Sequence, residues 1–222
     1  MSDNPIIRGL PALLAGNKPG LDAQLKLAPD PRPGQKIYQE VQDTCRPAAV
    51  LILLYPRGRR LHLVLTRRTS EVDHHRDQIS FPGGERDEHE TIVAAALREA
   101  SEELGVRPAD VRVLGNLTPL YIPASNFCMF PIVGAAAKRP AFRRAPAEVA
   151  EIIELPLAVL LDPKSVRRET WTLHGRETMV PFYYFRGHKI WGATAMVLAE
   201  LGEIIGSSPT ADARGHGEED NT

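Results

Sequence analysis

The sequence predicts a mixed α/β (α+β) protein, with strands placed before, between and after two main helices. Three observations carry this. Residues 48–55 (AAVLILLY) and 61–66 (LHLVLT) are short apolar runs bounded by turn chemistry, the pattern of buried strands. Residues 91–104 contain neither Gly nor Pro and are rich in alanine, which favours a helix. Residues 190–205 (IWGATAMVLAELGEII) read as a second, amphipathic helix. The order of elements fits one mixed domain better than a regular βαβ array.

Taken in order, residues 6–14 (IIRGLPALL) predict a short helix, started or interrupted at Pro11. Residues 18–36 hold four prolines and read as an extended arm without a core of its own. The turn Pro56-Arg57-Gly58-Arg59 joins the first two strands into a hairpin. Residues 70–77 are polar and irregular; 78–81 form a short strand that Pro82-Gly83-Gly84 ends. In the helix that follows, Val93, Leu97, Ala100 and Leu104 recur at steps of four and three as one apolar face, and Gly105 is the expected stop. Residues 111–120 and 127–134 predict two strands, Pro131 placing the second at an edge or a bulge. Residues 148–155 predict a strand leading into a short helix near Pro156. Residues 171–173 and 179–185 predict a hairpin turning at His174-Gly175. The expected organisation is an N-terminal helix and arm over 1–45, a folded domain over 46–206 and a disordered tail over 207–222.

Composition narrows the function classes. The chain has 222 residues, a net charge of −1 and 25% charged residues. That balance gives no support for a nucleic-acid or anionic-membrane surface. Its apolar runs are far shorter than the roughly 20 residues that span a bilayer. The start, MSDNPIIRG, lacks the basic and apolar regions of a signal peptide. Cys45 and Cys128 are far apart in sequence and match no metal spacing, so free thiols in a reducing, cytoplasmic setting are expected.

The chemistry concentrates in residues 84–106, GERDEHETIVAAALREASEELGV. On a helix Glu99 faces the same side as Glu102 and Glu103, three and four residues on. Such crowding of like charge asks for a cation, and oxygen ligands suit Mg²⁺ or Mn²⁺ rather than zinc. Arg98 can hold a carboxylate in place. The glycine turn ahead of the helix can bring backbone close to an ion. The stretch fits G-x5-E-x7-R-E-U-x-E-E-x-G-U, with U apolar, through Gly84, Glu90, Arg98, Glu99, Ala100, Glu102, Glu103, Gly105 and Val106.

This pattern resembles the signature of Nudix hydrolases. The resemblance implies a Nudix-type α/β/α sandwich with a catalytic loop-helix-loop that hydrolyses a nucleoside diphosphate linked to another moiety. It further implies that Glu99, Glu102 and Glu103, with the Gly83 carbonyl, hold the divalent metal while Arg98 orients a glutamate. The general base would be Glu99, Glu102 or a carboxylate outside the box; Glu148 and Glu151 are candidates for that base or for an additional metal ligand. Residues 64–84 are similar to the motif preceding the box in the coenzyme A pyrophosphatase branch, matching at Leu65, Thr66, Arg68, His75, Phe81, Pro82, Gly83 and Gly84. They depart from it at Asp73, Asp77 and Gln78. Residues 148–157 and 190–195 also look like segments of that branch. The resemblance points to coenzyme A or acyl-coenzyme A as a small nucleotide-derived substrate, with Arg68 and His75 near its phosphates. Trp191 and Tyr183 are expected in the core. ADP-ribose, NADH or a related nucleotide is the alternative substrate, and a non-catalytic sensor the reading of another class. A homodimer is expected by analogy alone.

Overall fold

The structure is a computed structural model and describes residues 4–32, 36–69, 78–173 and 175–207. His75, the irregular stretch 70–77, the turn position His174 and the tail from residue 208 lie outside the described residues. The fold is the mixed α/β sandwich that the sequence predicts, built on an eight-stranded mixed sheet.

The sheet is organised by β1 (Arg46–Arg57). Its residues alternate between two cores, as the two-residue strand period requires. Ala49, Leu51, Leu53 and Tyr55 face one apolar cluster, and Val50, Ile52 and Leu54 face the other. A strand buried on both faces reads as an unbroken apolar run, which is why residues 48–55 show no polar alternation. β1 forms the predicted hairpin with β2 (Arg60–Arg68) only over Leu54–Arg57, after which the two strands diverge. Into the fork between them enter β3 (Ile79–Ser80), bonded to β2, and β4 (Gly83–Glu85), bonded to β1. On the other edge of β1 runs β7 (Phe127–Ala136), parallel to it. The expected single strand over 111–120 is instead two, β5 (Val111–Asn116) and β6 (Leu120–Ile122), both antiparallel to β7. Pro131 therefore sits in a central strand, not at an edge. Its carbonyl accepts from Leu117 between β5 and β6, so the donor it lacks falls where no ladder partner is needed. β8 (Val149–Pro156) pairs with β2 and ends at the short helix α5 (Ala158–Leu161).

The helix read from residues 91–104, α4 (Ile92–Leu104), covers one face of the sheet. Its buried side is Ala95, Ala96, Ala100, Glu103 and Leu104, rotated from the face expected through Val93 and Leu97. Small side chains there let the helix come close to β1. The opposite face is covered by α1 (Pro5–Ala15) and α6 (Gly192–Gly206). α1 runs through Pro11 without a break and contributes Ile6, Ile7, Leu10 and Leu14 to the main core. Where an extended arm was expected, the chain forms α2 (Gly20–Leu25), packed on α6. After the short helix α3 (Tyr38–Val41) the chain enters β1. α6 is not amphipathic: from Thr194 to Leu201 every residue is buried, because sheet, α1, α2 and the second sheet surround it. That second sheet is β9 (Val166–Leu173), β10 (Arg176–Phe185) and β11 (His188–Trp191), containing the predicted hairpin.

Glu200 is fully buried in α6 and accepts hydrogen bonds from Gln24 Nε2 (2.8 Å), Thr118 N (3.1 Å) and Thr118 Oγ1 (2.7 Å). Replacing it with Leu strands those donors. We expect a loss of about 2 kcal/mol, read as a lower urea midpoint at unchanged slope. An unshifted midpoint would mean that water replaces the carboxylate.

Cys45 and Cys128 are bonded to each other, with Cα atoms 5.7 Å apart, which corrects the expectation of free thiols. The parallel register of β1 on β7 places Arg46 opposite Phe127 and Pro47 opposite Cys128, so residues 83 apart in sequence meet at the strand ends. Among the described residues no helix is long and apolar enough to cross a membrane.

Candidate active site

The glycine turn and α4 face each other across the fork of the sheet. β4 is held against β1 by the pairs Ala48–Glu85, Ala49–Gly84 and Val50–Gly83, and Leu51 N donates to the Pro82 carbonyl at 2.9 Å. Both glycines lie at close approaches, Gly83 to backbone and Gly84 to a side chain. A Cβ on Gly83 would lie 2.4 Å from the Ala49 carbonyl oxygen, and one on Gly84 would lie 2.6 Å from the Glu99 carboxylate. α4 starts where Thr91 accepts from Ala94 N at 3.1 Å and ends at Gly105, whose left-handed φ of 67° suits glycine. Its last carbonyls are met by the following loop, Arg143 N on Leu104 O and Ala145 N on Glu103 O, each at 2.8 Å.

Arg98 is the hub of the acidic helix. Its guanidinium donates to Glu90 (3.1 Å), Glu99 (2.7 Å), Glu102 (3.1 Å) and the Glu85 carbonyl (3.2 Å). This pairing holds the Glu90 carboxyl below its usual range and raises Arg98 above its own. Glu102 is largely exposed, whereas Glu103 is buried. The Glu103 carboxyl is pushed up to about 8, chiefly by burial and in the same direction by the Glu99 and Glu148 carboxylates, while Arg68 and the Gly83 N–H oppose the rise. Burial likewise raises Glu99, with Glu102 and Glu148 adding to the effect.

Exposed Glu148, in the loop before β8, is thus close enough to act on both helix carboxylates. Glu151, the other candidate, is engaged by Arg67 Nε (3.0 Å) and His188 Nε2 (3.2 Å). Arg68 follows the register shift in the β2–β8 pairing, and its Nε, like Glu103 Oε2, is buried without a hydrogen-bond partner among the described residues. Arg144 is spent on the Val149 carbonyl at 2.8 Å. Tyr183 is buried, as expected, but half-buried Trp191 lines a cavity beside the site.

Whether these residues fit a divalent cation can be judged from their chemistry. A buried carboxylate with one oxygen unpartnered, raised by two neighbouring carboxylates, is a site short of positive charge. The donors are all oxygens, which suits a hard cation. Among the described residues, however, no three acidic groups converge into a ready-made ligand cluster, and Arg98 occupies oxygens of Glu99 and Glu102. Glu103 and Glu99 could hold an ion beside the glycine turn, with Glu102 joining them on release from Arg98.

The cavity adjoining the turn has a volume of about 420 Å³ and mostly apolar walls. Gly83, Gly84 and Arg68 border it, as do Met129, Leu120 and Trp191. The sequence did not single out Arg32, a further wall residue, because nothing local in the proline-rich segment marks it.

Comparison with known proteins agrees with this geometry. The NUDIX domain pattern matches residues 45–174. The Nudix hydrolase NudL of Photorhabdus laumondii is 36% identical over 183 residues, covering 82% of this chain and 93% of the relative. Nudix hydrolase 22, chloroplastic, of Arabidopsis thaliana is 32% identical over 172 residues, covering 74% of this chain and 57% of that protein. Among solved structures, the MutT protein of Methanosarcina mazei is 15% identical, with a TM-score of 0.49 and coverage of 73% and 96%. The signature on α4, the glycine turn in the sheet fork, the domain pattern over residues 45–174 and the 36% identical relative lead to one assignment: the chain belongs to the Nudix family and is a pyrophosphohydrolase.

Proposed function

We propose that the chain hydrolyses the pyrophosphate linkage of coenzyme A or an acyl-coenzyme A, giving 3',5'-ADP and 4'-phosphopantetheine or its acylated form. The observation that carries this reading is the apolar cavity of about 420 Å³ that opens directly onto the glycine turn. Such a volume takes one arm of a large ligand. Walls such as Met129, Leu120 and Trp191 suit an amide-bearing aliphatic arm with an acyl or thiol end. The similarity of residues 64–84, 148–157 and 190–195 to the coenzyme A pyrophosphatase branch supports the same substrate class.

In this reading Glu99, Glu102, Glu103 and the Gly83 carbonyl hold Mg²⁺ or Mn²⁺. When bound, the ion would neutralise the pyrophosphate and acidify the attacking water. Arg98 positions the glutamates of α4, and Glu99, Glu102 or Glu148 takes the proton. Arg68, its Nε without a hydrogen-bond partner among the described residues, borders the cavity and contacts phosphate. The test is turnover of coenzyme A, acetyl-coenzyme A, ADP-ribose and NADH by the purified protein with Mg²⁺ or Mn²⁺. We expect the coenzyme A pair to show the higher kcat/KM. Turnover of ADP-ribose without coenzyme A would overturn the substrate assignment, and metal-dependent turnover of none of the four would favour a sensor.

A further inference from the structure

Glu148 reaches the acidic helix from outside the signature. Its exposed carboxylate acts on both Glu99 and Glu103, yet among the described residues nothing bonds that side chain. Where it stands is therefore set by the main chain around it, and the sheet does not run up to it in register. β8 carries one residue more than β2 between the pairs Arg67–Glu151 and Arg68–Val149, with Ala150 left over. Such a bulge bends its strand and re-aims the residues beside it. Glu151, on the other side of the bulge, is held by Arg67 and His188 and does not compete for the position.

Two sets of bonds hold the loop beyond the bulge. Toward α4, Ala145 N donates to the Glu103 carbonyl at 2.8 Å, and the Ala145 carbonyl accepts from Glu148 N at 3.1 Å and Val149 N at 2.8 Å. Toward β2, Thr69 closes on the loop twice. Its N–H donates to the Glu148 carbonyl and its Oγ1 to the Ala147 carbonyl, each at 3.0 Å. Arg144 braces the loop internally, on the Val149 carbonyl at 2.8 Å, whereas the Thr69 hydroxyl ties it to the end of β2. Thr69 directly follows Arg68, which borders the cavity. A continuous run of hydrogen bonds thus leads from Glu103 through Ala145 and Glu148 to Thr69, joining the acidic helix to the cavity edge.

We propose that Thr69 is a positioning residue of the reaction, whose hydroxyl, through the Ala147 carbonyl, holds Glu148 against Glu99 and Glu103. The proposal rests on the reading that Glu148 takes part in catalysis, and its test separates the two. Full-length wild type, T69V, T69S, E148Q and T69V/E148Q are assayed with Mn²⁺ on the best of the four substrates above. Valine keeps the branched shape of threonine without its hydroxyl, so T69V removes the bond to Ala147. We expect E148Q to lose about 10²-fold in kcat and T69V about 10-fold, with KM within about 2-fold. T69S should recover most of that loss. With Gln already at position 148, T69V should cost less than about 2-fold, because the two changes act through one group. Hydrogen exchange in the metal-free protein supplies a readout without turnover. Residues 145–149 should exchange faster in T69V than in wild type or T69S, while residues 92–104 stay unchanged. An equal T69V loss in both backgrounds would overturn the proposal, since Thr69 would then act on the fold and not through Glu148. Unchanged exchange over 145–149, or no recovery in T69S, would overturn it too. A crippled E148Q beside an unaffected T69V would sink the role of Thr69 alone. Full activity in E148Q, or no turnover by wild type, would remove Glu148 from catalysis and the proposal with it.

Discussion

Glu103→Gln is expected to lower metal-dependent turnover on the order of 10²–10³-fold while leaving the fold intact. The substitution keeps the shape of a buried side chain and removes the one charge that burial, Glu99 and Glu148 all disfavour in the metal-free protein. The activity loss should appear in kcat at saturating metal, since the charge matters most where the pyrophosphate oxygens gather theirs. Equal turnover in the variant would remove Glu103 from the metal set. Stability supplies an independent reading. The folded-state pKa, about 8, lies above the ordinary 4.5, so the folded protein takes up the proton more readily than the unfolded chain. This contribution is fully present below 4.5 and is lost as pH rises through about 8. In EDTA, wild type should therefore melt progressively lower than Glu103→Gln as pH rises from about 4.5 to about 8, with no further divergence above that. Parallel melting profiles would mean that the buried carboxylate is already ionised at low pH.

Gly83→Ala should be the most destabilising small change in the site. The added Cβ would meet the Ala49 carbonyl oxygen at 2.4 Å and the Val50 Cα at 2.7 Å, both backbone atoms of the central strand. Neither can move without breaking the β1–β4 pairing. We expect a loss of about 3 kcal/mol, at the upper end for overpacking, or a fall of roughly 6–12 °C in Tm for a chain of this size. Gly84→Ala is the matched control. Its Cβ meets only the Glu99 carboxylate, the mobile end of a side chain, so Tm should change little while activity falls. Equal Tm losses in the two variants would mean that the contact with β1 is not what constrains Gly83.

The parts of this protein legible in its sequence are those governed by local chemistry. Thr91 and Gly105 bound the acidic helix through their own capping bonds, so its ends could be read within a residue. The run 48–55 announced β1 because a doubly buried strand has nowhere to place a polar side chain. What could not be read depends on neighbours distant in sequence. α6 appeared amphipathic because Glu200 and Glu203 look like a solvated face, yet Glu200 is enclosed by Gln24 and Thr118. The cystine needed the parallel register of β1 on β7, and α2 needed α6 as its support. The carboxylates of α4 were visible as a group. Their division into buried Glu103 and exposed Glu102 was not, because the alanines that draw the helix onto β1 also set its rotation.

The fork of β1 and β2 has a further consequence. Amide exchange from residues 49–54 of β1 should be among the slowest in the protein, since that strand is paired with β7 throughout, carries β4 and the Pro82 carbonyl on its other edge up to Leu51, and is covered on both faces. The glycine turn hangs from this segment rather than from a surface loop. Local openings at the chain's periphery, in α1 or the second sheet, would then leave the turn and its carboxylates in register. Exchange of substrate and product need not pass through any loosening of the site that binds them.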